Sequence, residues 1–291
     1  MRLVYTADLH GVAASYQSLF DLAVARGARA AIVGGDLFPH AIRTESALDL
    51  QRAFIHDHIR PMLQALRNDH PEVAVFLLPG NDDWAAAAAA LGPLESEGLV
   101  YPLHERVYDL QAMGLSDAPL WLAGYACVPL TPFSIKDYER ADDGPLPPYS
   151  FGMAFMSASG KIRPATARDI VALPTIGAAM ATLAQKSDPA RTIYVCHTPP
   201  FDTPLDLMPR GRHTGSKALA AFIAQRQPLL TLHGHIHEAP QQSGQFAAQL
   251  GATWAANPGH DPRAFYAIAL DTADVAGTIE HTVYGKLKRG A

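Results

Sequence analysis

Five apolar segments of this chain each end in side chains of the types that hold cations, and this recurrence constrains the fold more than any other feature. Leu3-Val4-Tyr5-Thr6 runs into Asp8-Leu9-His10, Ala30-Ala31-Ile32-Val33 into Gly34-Gly35-Asp36, and Val73 to Leu78 into Gly80-Asn81-Asp82-Asp83. Further on, Thr192 to Cys196 precedes His197, and Leu229 to Leu232 precedes Gly234-His235-Ile236-His237. Short apolar runs bounded by turn residues read as buried strands, and in α/β sheets binding sites gather at the carboxyl ends of strands. Glycines at 34, 35, 80 and 234 permit tight turns and close backbone approach there. Five such ends can converge on one point.

Between these strands the period changes from two to nearly four. Ser15 to Arg26 places Leu19, Leu22 and Ala23 on one face before Gly27 stops a helix; a long helix is expected from about Glu45 to Asn68, and another from Trp84 through the alanine run Ala85 to Ala90. Trp121 to Tyr125 reads as a strand, and helices are expected at Ile176 to Gln185 and Lys217 to Gln225. Strands are expected near Ala252 to Ala255, Phe265 to Leu270 and Thr278 to Tyr284. The alternation indicates an α/β architecture. The stretch Pro129 to Pro164 shows neither period and reads as a long surface excursion, so a single domain over 1–291 is expected, with a lid-like irregular insertion at about 129–164.

With 291 residues, 48% of them hydrophobic, the chain can bury a sizeable core. Its formal charge of −5 gives no general attraction to nucleic acid or to an anionic membrane. Cys127 and Cys196 are too few for a disulfide framework and are expected as reduced, buried thiols. No uninterrupted apolar stretch of membrane-spanning length and no signal-peptide series stand out, so a cytoplasmic protein without membrane partners is expected. Oligomeric state is not legible.

Singly, each polar group has a structural reading. Asp8 or Asp83 can cap the following helix, Asp36 can close a turn, and His197 can be a hydrogen-bonded, partly buried residue. Two histidines two apart on an extended segment point the same way, which suits metal binding, although His233 and His235 share that spacing with His235 and His237. The ordered combination points to a metal site.

The series DxH (Asp8, His10), GD (Asp36), GNxD (Asn81, Asp82, Asp83), a strand-end His (His197) and GHxH (His235, His237) resembles the calcineurin-like metallophosphoesterase superfamily, and Asn257-Pro258-Gly259 is similar to a turn common there. The resemblance implies a four-layer sandwich of two mixed β-sheets flanked by α-helices. It also implies two divalent metal ions, with Asp8, His10 and His237 on the first, Asn81, His197 and His235 on the second, and Asp36 bridging. Carboxylates and imidazoles suit Mn, Fe or Zn, and a bridging carboxylate holds two ions about 3.5 to 4 Å apart, where a shared hydroxide can attack phosphorus in line. The implied activity is hydrolysis of a small-molecule phosphodiester, phosphomonoester or nucleotide anhydride. A nuclease of the same fold and a non-catalytic interaction module that has kept the fold are the alternatives; nucleic acid is disfavoured by composition, and the full ligand set disfavours the module.

One position departs from the pattern. Where the superfamily usually has His in GNH[DE], this chain has Asp82, which two neighbouring cations would keep ionised and unfit as a general acid. Asn81 and Asp82 are therefore the catalytic candidates. The chain is expected either to favour good leaving groups or to use another donor, with His40, His213 and His260 as loop candidates; capping by Asp82 is the plain alternative. The excursion carries Phe133, Lys136, Asp137, Tyr138, Arg140 and Tyr149, from which Lys136 and Arg140 are the substrate-binding candidates.

Overall fold

The computed structural model describes residues 1–41, 45–142, 144, 146, 153–157 and 159–287; Tyr149 lies outside the described residues. Strands Arg2–Thr6, Ala30–Gly34 and Ala74–Leu78 pair in parallel in that order, joined by Tyr101–Pro102 at one end and, on the other side of Arg2–Thr6, by the antiparallel Ile268–Asp271 and two short strands, to make a seven-stranded mixed sheet. A six-stranded mixed sheet is built on Trp121–Tyr125, Thr192–Cys196, Leu230–Leu232 and Thr253–Ala256, all parallel, with Val107–Asp109 and Ala247–Leu250 as antiparallel edges.

Strand alternation explains the layering. Leu3, Tyr5, Ala30, Ile32, Phe76 and Leu78 share one core with Leu122, Ile193, Val195 and Leu232 of the second sheet, whereas Val4, Ala31, Val33, Val75 and Leu77 face outward into a separate core. Tyr16, Leu19, Phe20 and Ala23 of helix Ala13–Arg26 fill that outer core, together with Ile59, Leu63 and Leu66. Helices Ile176–Ala184 and Lys217–Arg226 cover the other sheet through Met180, Leu183, Leu219 and Phe222. The result is two mixed sheets packed face to face and flanked by helices, the architecture that the resemblance implied. Each large apolar side chain taken out of water contributes about 1.5–3 kcal/mol.

Local departures from expectation have local causes. The long helix is Glu45–Phe54 and Arg60–Asp69 joined by a π turn at Ile55–Ile59, whose wider winding keeps Ile55, Ile59 and Leu63 all buried. The alanine run gives only Ala85–Ala88, and a second helix, Leu91–Ser96, starts just before Gly92-Pro93, because proline is tolerated only in a first turn. Beyond Ile268–Asp271 the expected last strand is reduced to Glu280–His281 and Gly285–Lys286. The most apolar helical window, Ala167–Ala184, is divided into Ala167–Val171 and Ile176–Ala184 with Pro174 between them. Cys127 and Cys196 are free and buried, as expected, and burial pushes the Cys127 thiol up to about 11.

The excursion is tied to the body of the protein. Val128–Pro129 pairs with Glu139–Arg140, and Phe155–Met156 with Arg163–Pro164. The buried Asp137 carboxylate accepts the backbone N–H of Ala85 at 2.9 Å and of Ser157 at 2.8 Å, pinning the segment to the first turn after the Asn81 motif.

Candidate metal centre

The five polar strand ends meet. Asp8 Oδ1 lies 3.3 Å from His237 Nε2, which lies 3.3 Å from His10 Nε2. His10 Nε2 is in turn 3.9 Å from Asp36 Oδ2. One donor atom from each of Asp8, His10, Asp36 and His237 falls within 4.8 Å of the others, a spacing that could hold a metal ion. The neighbouring group turns on His197. Its Nδ1–H donates to the Gly34 carbonyl at 2.9 Å, which leaves Nε2 facing Asn81 Oδ1 at 3.2 Å and Asp36 Oδ2 at 3.4 Å. A backbone carbonyl behind a histidine fixes tautomer and ring orientation as second-layer partners of metal ligands do. The ring of His235 packs 5.3 Å from that of His197.

Asp36 belongs to both groups. Its Oδ1 accepts the Asp82 backbone N–H at 2.8 Å, so Oδ2 alone is directed at His10 on one side and His197 on the other. Close approach requires glycine here: a Cβ on Gly35 would fall 1.9 Å from His197 Nδ1, and one on Gly80 2.2 Å from Asp36 Oδ1. Asp8, His10, Asp36 and His235 all adopt left-handed backbone, with φ of 58°, 44°, 50° and 64°. Such conformations cost about 1–3 kcal/mol each in a non-glycine residue and persist where surrounding structure enforces them. At Asp8 the enforcement is visible, since its two oxygens accept the His235 backbone N–H at 3.0 and 3.1 Å.

The electrostatics fit a cation site. Burial opposes ionisation of Asp8, but His237 and His197 outweigh it and bring the carboxyl down to about 2; Asp36 is likewise held below the usual range by His197 and His10 against its burial. Burial opposes charge on His197 and His237 too, yet the carboxylates of Asp36 and Asp8 raise both to about 9. Burial lowers His235 to about 3, with His197 adding to the effect, so it offers a neutral imidazole. Two buried carboxylates facing several imidazole nitrogens make a donor set that positive charge stabilises.

Asp82 sits on the rim, 17% exposed, with Oδ2 2.9 Å from His40 Nδ1 and 3.7 Å from His10 Nδ1. Burial and the Asp36 carboxylate push its carboxyl up against the pull of His40 and His10. Burial and Asp36 thus act opposite to the depression expected from cations. Asp83, for which helix capping was the plain alternative, instead accepts the backbone N–H groups of Leu37, Phe38 and Gly80 at 2.8, 2.9 and 2.8 Å. It clamps the Asp36 loop to the Asn81 turn. His233 shares the alternation of the GHxH group but is structural: Nδ1–H reaches the carbonyls of Cys196 and Thr198, and Nε2 accepts from the Thr231 hydroxyl. The side chain of Asn257, in the Asn-Pro-Gly turn, donates to the carbonyls of Gly234 and Ile236 and so supports the loop of His235 and His237. Neither Asp83 nor Asn257 stood out as a support residue, because their partners are backbone groups distant in sequence.

Both substrate-binding candidates are engaged within the excursion, which corrects the expectation for Lys136. Lys136 is fully buried, its ammonium donating to Glu139 Oε2 and to the Thr131 carbonyl, both at 2.7 Å. A cation committed inside the excursion offers nothing to a ligand. Arg140 spends its Nη1 on the carbonyls of Asp137 and Glu139, each at 2.8 Å, and so braces the same turn. Of the loop histidines, His213 is bonded to the buried Asp206 at 2.7 Å, whereas His260 packs against the rings of His10 and His237.

Fold and site together fit the class of metal-dependent phosphoesterases. Residues 1–239 match the calcineurin-like phosphoesterase family, and the chain belongs to it. Among solved structures it is similar to the protein TT1561 of Thermus thermophilus, at 19% identity and a TM-score of 0.58 over 97% of this chain and 98% of that one. It is also similar to a dimetal phosphatase from Danio rerio, at 13% identity and a TM-score of 0.51 over 92% and 91% of the two chains. At those identities the likeness is one of fold. No curated protein matches the sequence.

Proposed function

We propose that the chain is a phosphoric ester hydrolase working with two divalent ions. Asp8, His10 and His237 would hold one ion, Asn81, His197 and His235 the other, and Asp36 would bridge them. The observation that carries the reading is the Asp36 carboxylate: one oxygen is consumed by the Asp82 N–H, and the other is shared between a nitrogen of each group, at 3.9 and 3.4 Å. Such ions, as Mn, Fe or Zn, supply Lewis acidity that acidifies water for in-line attack and neutralises phosphoryl oxygens in the transition state.

The chain's own residues do the rest. Asn81 gives a neutral oxygen and adds no charge. Asp83 keeps the Asp36 and Asn81 turns at fixed separation, and the His197–Gly34 bond fixes the imidazole face that Asp36 and Asn81 share. The substrate class is a small-molecule phosphodiester, phosphomonoester or nucleotide anhydride. The test is metal analysis, followed by assay of Mn²⁺-loaded protein on an aryl monoester, an aryl diester and a nucleotide beside Asp36→Asn. Wild type should turn over at least one of them and the variant should lose activity and metal; equal rates for the two proteins would overturn the reading.

A further inference from the structure

We propose that His40, positioned by Asp82, donates the proton to the leaving group; the assignment rests on the hydrolase reading above. Residue 82 is a carboxylate, and the structure brings an imidazole from another loop against it. His40 Nδ1 lies 2.9 Å from Asp82 Oδ2, the oxygen that is 3.7 Å from His10 Nδ1. The His40 ring therefore stands one carboxylate away from a ligand residue. Its Nε2 has no partner among the described residues, and the side chain is 52% exposed on the rim of the site.

The pair is built in, since the two loops are joined behind it. The buried Gln51 amide donates to the Pro39 carbonyl and to the Asp82 carbonyl, both at 3.1 Å, while its oxygen accepts the Trp84 N–H at 2.9 Å. Pro39 is packed against Gly11, where a Cβ would fall 2.4 Å from the proline ring. His40 is thus fixed relative to both the Asp8-x-His10 turn and the Asn81-Asp82 turn. His213 is bonded to Asp206 in the same manner, but its recorded partners all lie within residues 201–213 and none is a ligand candidate.

The chemistry balances without any added reagent. As the attacking oxygen forms its bond to phosphorus, the bond from phosphorus to the leaving oxygen breaks and that oxygen keeps the electron pair. It takes the Nε2 proton of the His40 imidazolium, whose charge the Asp82 carboxylate faces. The neutral imidazole regains a proton from water. The Asp82 carboxylate, 2.9 Å from Nδ1, holds the ring's orientation.

Leaving groups decide the matter. A nitrophenolate departs without a proton, whereas an alkoxide does not. His40→Ala should lower kcat for alkyl esters by about 10²–10⁴-fold, the usual reach of a general acid, and for nitrophenyl esters by less than about tenfold. Metal content should stay at the wild-type level, added imidazole should restore part of the alkyl activity, and His213→Asn should leave both rates unchanged. Equal losses on the two ester types, or no loss on either, would overturn the assignment while leaving the hydrolase reading intact. A metal-loaded wild type inert toward both ester types would overturn the hydrolase reading and this assignment with it.

Discussion

Asp83 accepts the Leu37 backbone N–H at 2.8 Å, across 46 positions of sequence, and so couples the turn that presents Asp36 to the turn that presents Asn81. Three buried N–H groups depend on this one carboxylate. Leaving a buried donor unsatisfied costs about 1–3 kcal/mol, so Asp83→Ala should destabilise the protein by roughly 3 kcal/mol or more. Asp83→Asn should also weaken it, because an amide NH₂ must then face an N–H. Denaturant midpoints and metal titration check both; wild-type stability in either variant would mean that the clamp is dispensable.

Gly35 admits no side chain beside His197. With a Cβ only 1.9 Å from Nδ1, Gly35→Ala must displace the imidazole and break its bond to Gly34, and φ of +125° adds backbone strain. Loss of such an orienting partner typically costs 10–100-fold in metal affinity. Competition titration with a chelator should show a loss of about that size, with little change in far-ultraviolet circular dichroism. Unaltered affinity would count against His197 as a ligand.

These two contacts mark where the sequence was and was not legible. Asp8, His10, Asp36, His197 and the GHxH histidines were readable because each follows an apolar run, and parallel strands bring such ends together. The roles of Asp83 and Asn257 were not, since backbone N–H and carbonyl partners leave no trace in residue type. The same holds for Lys136, whose buried partner Glu139 is three positions away and looks, in sequence, like any solvated pair. The two-sheet architecture followed from the family motifs. The π turn at Ile55–Ile59 did not, because one added residue per turn barely disturbs a helical period.

The Lys136–Glu139 pair should behave as structure. Both side chains are inaccessible to solvent, and burial pulls the ammonium down and pushes the carboxyl up to about 7 despite their attraction. Removing one partner of a buried ion pair strands the other, at about 3–5 kcal/mol. Lys136→Met should lower stability by that amount yet leave KM of the folded, metal-loaded protein unchanged. A large rise in KM at constant stability would return Lys136 to the substrate site.

Acid should weaken the fold through histidines held neutral. His281 donates Nε2–H to the Pro258 carbonyl at 3.0 Å, and its Nδ1 accepts the N–H groups of Val283 and Tyr284. Burial lowers it to about 4, and His233 is lowered to about 4 by burial as well. Below pH 6.5 the unfolded chain binds protons that the folded chain refuses, so this stability is complete above about 6.5 and is lost as pH falls toward 4. At about 1.4 kcal/mol per unit, each histidine contributes roughly 3 kcal/mol to the decline. Melting of chelator-treated protein between pH 8 and 4.5 should show it, and His281→Asn should flatten the slope. Identical slopes would refute the attribution.

Metal should stabilise the native state by mass action. At free ion a thousandfold above Kd, a site absent from the unfolded chain adds about 4 kcal/mol. Chelation should lower the melting temperature accordingly, and Asp36→Asn, which removes the shared oxygen, should shrink the difference. Melting curves that ignore both chelator and substitution would leave the cluster without a cation.

The left-handed turns at Asp8, His10, Asp36 and His235 have a consequence for anyone engineering the protein. Glycine would relax each of them, so directed evolution scored on the melting temperature of chelator-treated protein would be drawn to the ligand positions. Selection for heat tolerance and selection for turnover would then diverge at the same four codons, and a library meant to keep the chemistry should hold them constant.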